Sequence, residues 1–161
     1  MHPSRIRHAL IAATALVVLP ALADTTLPGT FCTSDGPTEK SATGLMLNKT
    51  AGPSGTTHFH CPIIRTKPVS QFGGTVTVTI NARTNNNTAD FRCYLRSVSQ
   101  DNVTHDTGNV SFASAYYNNG YTMGSVQVSL PTTQASVNMR CTVPNMAGST
   151  DAGIVWYRIE Q

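Results

Sequence analysis

The run Thr75-Val76-Thr77-Val78-Thr79-Ile80-Asn81 alternates without interruption between β-branched apolar side chains and small polar ones. Successive side chains of a strand point to opposite faces, so this run buries Val76, Val78 and Ile80 on one side and wets Thr and Asn on the other. A helix would scatter the same residues around its circumference. Weaker versions of the pattern recur at residues 44–49, 57–64, 90–98, 109–115, 121–130, 136–143 and 153–160, and no stretch carries a helical period. Turn formers separate them: Gly52-Pro53-Ser54-Gly55, Gly73-Gly74, Asn85-Asn86-Asn87, Asn118-Asn119-Gly120 and Ala147-Gly148-Ser149. The expectation is an all-β chain folded as an antiparallel β-sandwich of about seven or eight strands, immunoglobulin-like or jelly-roll. No internal repeat or linker divides the pattern, so it is read as one domain over residues 24–161.

Residues 1–23 read differently. Arg5, Arg7 and His8 precede an apolar run over residues 9–19, then Pro20 and the small-residue pattern Ala21-Leu22-Ala23. A basic segment, a short apolar segment and an A-x-A site compose a secretory signal peptide, with cleavage expected after Ala23. The apolar run is well short of the ~20 residues that span a bilayer, so the remaining chain carries no transmembrane segment and is secreted or periplasmic. Removing Arg5 and Arg7 leaves nine basic residues against eight acidic ones. Those basic residues are scattered along the chain, whereas nucleic-acid binding needs a clustered basic stripe, so no nucleic-acid partner is expected. Charged residues are only 12% of the chain, about half the usual share. The surface must therefore be covered by Ser, Thr, Asn and Gly.

Cys32, Cys61, Cys93 and Cys141 all lie beyond the leader, and export puts them in an oxidising compartment where two disulfides form. Zinc is the rival explanation. Neighbouring cysteines are at least 29 positions apart, however, and structural zinc sites draw ligands in close pairs. Of three connectivities, Cys32–Cys61 with Cys93–Cys141 is preferred. The first ties down an N-terminal segment poor in apolar residues, and the second links two long apolar strands as a cross-core bridge. Strand parity supports the second, because Phe91, Cys93 and Leu95 share one face, as do Val137, Met139, Cys141 and Val143. Arg92, Tyr94 and Arg96, and likewise Asn138 and Arg140, then face outward.

The segments Phe31-Cys32, Cys61-Pro62-Ile63-Ile64-Arg65, Phe91-Arg92-Cys93-Tyr94 and Arg140-Cys141-Thr142-Val143-Pro144, with a terminal strand over residues 154–160, resemble those of a group of small secreted bacterial proteins. An N-terminal cysteine, a Cys-Pro-aliphatic segment, a mid-chain strand cysteine and a late Cys-x-aliphatic-Pro segment recur in that group. The resemblance implies export, disulfides and a β-fold. Its motifs are framework motifs and imply no reaction.

Two patterns stand out as binding sites. In His58-Phe59-His60 both imidazoles point the same way on a strand, so they can grip one metal ion if His105 or Asp106 supplies a third ligand. The plainer reading is two polar residues on a solvent face, and no cofactor is expected. The tract Tyr116-Tyr117-Asn118-Asn119-Gly120-Tyr121 offers a different chemistry: Tyr116, Tyr117 and Tyr121 can stack on sugar rings while Asn118 hydrogen-bonds hydroxyls. Asn119-Gly120 is also a strong type I′ hairpin signal, which would make the tyrosines cross-strand pairs. The oxygen-rich loop at residues 101–109 has turn composition and lacks the ordered spacing of a calcium loop. No G-x-S-x-G, no H-E-x-x-H and no spare cysteine are present, so no catalytic residues are assigned.

The function expected is a non-catalytic binding or envelope-associated module, with an extracellular glycan or an envelope component as partner. A structural or assembly protein of the cell exterior is the alternative, recognisable by an unpaired apolar sheet edge. A secreted hydrolase comes third, recognisable by a pocket with convergent Asp and His.

Overall fold

The computed structural model describes residues 24–49, 56–65, 74–84, 91–99, 101–112, 120–130, 136–144 and 152–161. Four short strands come first: β1 (Thr25–Pro28), β2 (Thr33–Ser34), β3 (Thr38–Lys40) and β4 (Met46–Asn48), with a single 3-10 turn at Gly29–Phe31 between β1 and β2. Seven longer ones follow: β5 (Thr56–Pro62), β6 (Gly74–Arg83), β7 (Phe91–Val98), β8 (Thr104–Phe112), β9 (Tyr121–Leu130), β10 (Ser136–Pro144) and β11 (Gly153–Glu160). Among the described residues every ladder is antiparallel. One sheet has the order β3-β4-β11-β6-β9, with β1 also on β11, and the other has the order β2-β5-β10-β7-β8.

From β4 onward the chain changes sheet at every connection except β7 to β8. That is the jelly-roll order, with β4, β11, β6 and β9 facing β5, β10, β7 and β8, and it decides between the two sandwich types expected. The β7–β8 turn is closed by Ser99 N–H donating to Val103 O at 2.9 Å, with Asn102 at φ 61°. Asn tolerates that left-handed conformation better than most residues.

The core is the sum of the inner faces that alternation foretells. Val76, Val78 and Ile80 are fully buried and meet Phe59, Phe91, Leu95, Met139 and Val143 from the other sheet. Each such side chain contributes about 1.5–3 kcal/mol when withdrawn from water. Two polar ties cross between the layers. Tyr157, buried on β11, donates its hydroxyl to Pro62 O on β5 at 2.9 Å, and burial pushes its phenol up to about 12. Asn48, buried on β4, spans to β5 and β10 by three hydrogen bonds.

Both disulfides have the expected partners, Cys32–Cys61 and Cys93–Cys141. Their placement differs from a cross-core bridge. Cys93 and Cys141 sit directly opposite each other on adjacent strands of one sheet, and Cys32 adjoins the β2–β5 ladder of that same sheet. Parity correctly put both members of the second pair on the buried face, but parity says nothing about which sheet a strand joins.

One further expectation is corrected. The strand expected at residues 109–115 begins earlier, at Thr104, and so absorbs most of the oxygen-rich loop. Its inward positions are Asp106, Gly108, Val110 and Phe112, of which the first two are not apolar. The cause is a pinch between β8 and β9: a Cβ on Gly108 would lie 2.5 Å from Gln127 O, and one on Gly124 would lie 2.6 Å from Val110 Cγ2. Where the sheets come this close only glycine fits, and the alternation disappears from the sequence. The hairpin expected at Asn119-Gly120 involves residues 113–119, which lie outside the described residues; of the described neighbouring strands, β8 pairs with β7 and β9 with β6. Those two strands belong to different sheets.

Candidate functional site

The outer face of the five-stranded sheet gathers the polar side chains that parity pointed outward. In register, Thr33, His60, Arg140, Tyr94 and Asn109 form one transverse row over all five strands. At the usual strand spacing this row is about 19 Å long. Beside it, Arg96 lies opposite Asn138, and Arg92 opposite Thr142, which is itself opposite His58. A groove of about 520 Å³ opens over these residues, lined among others by His58, His60, Tyr94, Arg96, Asn138 and Arg140. It adjoins a smaller hollow of about 380 Å³ that shares His60 and Asn138 and ends at Phe31 and Pro62. Phe31 is 54% exposed and Tyr94 37% exposed, so an aromatic surface is available in each part.

The two histidines of the His58-Phe59-His60 pattern do share this face, with Phe59 fully buried between them. His58 is already engaged: its Nδ1 lies 2.7 Å from Asp35 Oδ2, and its backbone N–H donates to Asp35 Oδ1 at 2.8 Å. Those two bonds, the backbone one first, hold the Asp35 carboxyl below the usual carboxylate range. His105 and Asp106 lie on β8, three strands away from β5, and bring no third ligand. Among the described residues no group of three or more His, Cys, Asp or Glu side chains is gathered. Asp106 instead accepts the Ser129 N–H of β9 at 2.6 Å and the Thr107 N–H at 2.8 Å, which lowers its pKa and fastens the pinched edge.

These two lowered carboxyl pKa values predict a loss of stability in acid. A depressed folded pKa adds stability that is present above the unfolded value near 3.9 and is lost as pH falls through the folded value. The melting temperature is therefore expected to be level from neutral pH to about 5 and to fall below about 4. Asp35→Ala and Asp106→Ala should each flatten that decline in a pH series of thermal melts, and an unchanged acid limb would refute the assignment.

Of the tyrosine tract, Tyr116, Tyr117 and Asn118 lie outside the described residues. Tyr121 opens β9 on the outer face of the other sheet, opposite Arg83, whose guanidinium carbon lies 5.8 Å from the ring centroid. It therefore does not join the groove. Sequence reading singled out the tract and passed over Phe31 and Tyr94 as ligand contacts, although parity had already turned Tyr94 outward.

Asp35 and His58 are paired, but no Ser or Cys side chain hydrogen-bonds that imidazole among the described residues, and no described cysteine is free. The exposed edge strand β8 presents Thr104, His105, Thr107, Asn109 and Ser111, so it is polar rather than the apolar edge an assembly protein would show. No described helix is long and apolar enough to cross a membrane.

No protein-family model and no curated protein matches the chain. Solved structures are similar to it in fold. A family 35 carbohydrate-binding module from Clostridium thermocellum superposes with a TM-score of 0.53 at 6% identity, covering 85% of this chain and 97% of that one. The enzymatically active domain of bacteriophage CBA120 tailspike protein 4 gives a TM-score of 0.50 at 12% identity, over 83% of this chain and 19% of that one. At such identities the likeness establishes a shared β-sandwich architecture.

Proposed function

We propose that the protein is an exported, non-catalytic glycan-binding module whose binding surface is the outer face of the five-stranded sheet. In this reading residues 1–23 are a leader removed on export, and the kinship with small secreted bacterial proteins belongs to the same picture. The observation that carries the reading is the groove with Tyr94 and Phe31 as exposed aromatic surfaces and Asn138, His60 and Arg140 as hydrogen-bond donors between them. Saccharides present apolar ring faces edged by hydroxyls, and an aromatic ring beside amide, imidazole and guanidinium groups answers both. A rigid sheet fixes these side chains in advance and so lowers the entropy cost of binding. The carbohydrate-binding module with the similar fold supports the same reading. Tyr121 offers a second surface on the opposite sheet, favoured by its exposed ring and the arginine beside it.

A glycan array with the 24–161 protein, followed by titration of the best oligosaccharide, tests the proposal. Tyr94→Ala is expected to weaken binding about tenfold, equivalent to about 1.4 kcal/mol, with no change in melting temperature. Tyr121→Ala with the same effect and Tyr94→Ala without one would move the site to the opposite sheet.

A further inference from the structure

We propose that the groove selects glycans bearing carboxylate groups, and that Arg96 and Arg140 are the residues that read the carboxylate. The proposal rests on the glycan reading above and narrows it to a ligand class. Arg140 stands directly across from Tyr94, while Arg92 and Arg96 flank Tyr94 along β7. Each is a diagonal neighbour of Arg140, at about 7–8 Å across the ladder. Three arginines are thus ladder neighbours of Tyr94 on one sheet face, and His60 lies on the far side of Arg140. In the sequence these residues are far apart, and only the β7–β10 pairing collects them.

Gathering like charges on one sheet face opposes folding, and nearby acids would relieve it. Four of the six described acids are engaged elsewhere, and the other two, Asp24 and Asp101, form no ion pair with Arg96 or Arg140. Asp35 engages His58, Glu39 pairs with Lys49 at 3.2 Å, Glu160 pairs with Arg158, and Asp106 accepts backbone N–H groups. Among the described residues no carboxylate pairs with Arg96 or Arg140. A neutral sugar needs the aromatic ring and the amide but leaves these two guanidinium groups without a counter-charge. A sugar acid stacked on Tyr94 supplies one, because its carboxylate is ionised at neutral pH and fits the planar fork of arginine in bidentate fashion.

Oligogalacturonide and its methyl ester share one backbone and differ in the charge of the carboxyl group, so they isolate the effect. In a titration at 0.15 M salt, the free acid is expected to bind about tenfold or more tighter than the ester. The Arg96→Gln/Arg140→Gln protein should lose that preference and keep its melting temperature. Arg140→Lys, which retains charge without the fork, should lose most of it as well. Equal binding of acid and ester, or binding of neutral oligosaccharides alone, overturns this inference while the glycan reading stands. Tighter binding of heparin or of single-stranded DNA than of the acid overturns it too, since bulk charge and not carboxylate geometry would then govern. Failure of every saccharide to bind removes the glycan reading and this inference together.

Discussion

A Cys93→Ala/Cys141→Ala protein is expected to lose about 4 kcal/mol of stability, read as a large drop in the urea midpoint with a slope equal or steeper, since the uncrosslinked unfolded chain exposes more surface. The bridge closes a loop of 48 positions, and cross-linking restricts the unfolded chain in proportion to the logarithm of that length. Cys32–Cys61 closes 29 positions, so its removal is expected to cost slightly less, about 3.5 kcal/mol on the same model. For a sandwich of one small domain, either loss is a large share of a total near 5–15 kcal/mol. The Cys93–Cys141 pair has a second effect, because both residues are fully buried on the inner face and their truncation leaves unfilled space beside Phe59 and Leu95. A loss below about 1 kcal/mol would mean that neither the loop restriction nor the packing acts as described.

The second large effect is expected at Asn48. Its Nδ2 donates to Val143 O at 3.1 Å and Pro144 O at 3.2 Å, and its Oδ1 accepts the Thr57 hydroxyl at 2.9 Å, all in buried surroundings. Asn48→Leu preserves volume but strips three partners of their bonds where water does not reach. An unsatisfied buried group costs about 1–3 kcal/mol, so the substitution should destabilise by about 3 kcal/mol once partial relaxation is allowed. Asn48→Leu with Thr57→Val removes one of the orphaned groups and should be less than additive in a double-mutant cycle. Additive losses would show that Asn48 and Thr57 do not act through each other.

Asn48 also marks the limit of what the sequence discloses. Strand parity identified the inner and outer faces of β5, β6, β7 and β10 correctly, because a half-buried strand writes its burial with period two. It could not assign strands to sheets, since both layers of a sandwich carry the same period. That is why Cys93–Cys141 was expected across the core and lies within one sheet. The weak apolar pattern of residues 44–49 gave no sign that Met46, Leu47 and Asn48 are all buried where β4 meets β11 and the second sheet. The pinch at Gly108 and Gly124 erased the very signal that would have placed the start of β8.

The candidate site was half legible. Parity turned Arg92, Tyr94, Arg96, Asn138 and Arg140 outward, yet their juxtaposition depends on the β7–β10 register, which no local pattern encodes. The same residues looked scattered along the chain and supported the view that basic groups are not clustered. Phe31 carried no signal, since a lone aromatic beside a cysteine reads as framework. The tyrosine tract drew notice because its residues are adjacent in sequence, and adjacency in sequence is the weaker guide in a fold whose connections nearly all change sheet.

The glycan-binding account is tested most directly by mapping backbone amide shifts of the 24–161 protein while oligogalacturonide, or a neutral cello-oligosaccharide, is titrated in. The account predicts that shifts concentrate on His58 and His60 of β5, Tyr94 and Arg96 of β7, and Asn138 and Arg140 of β10, with β6 and β11 of the opposite sheet unmoved. Shifts confined to Tyr121 and its neighbours, or no shift with any saccharide, would contradict it.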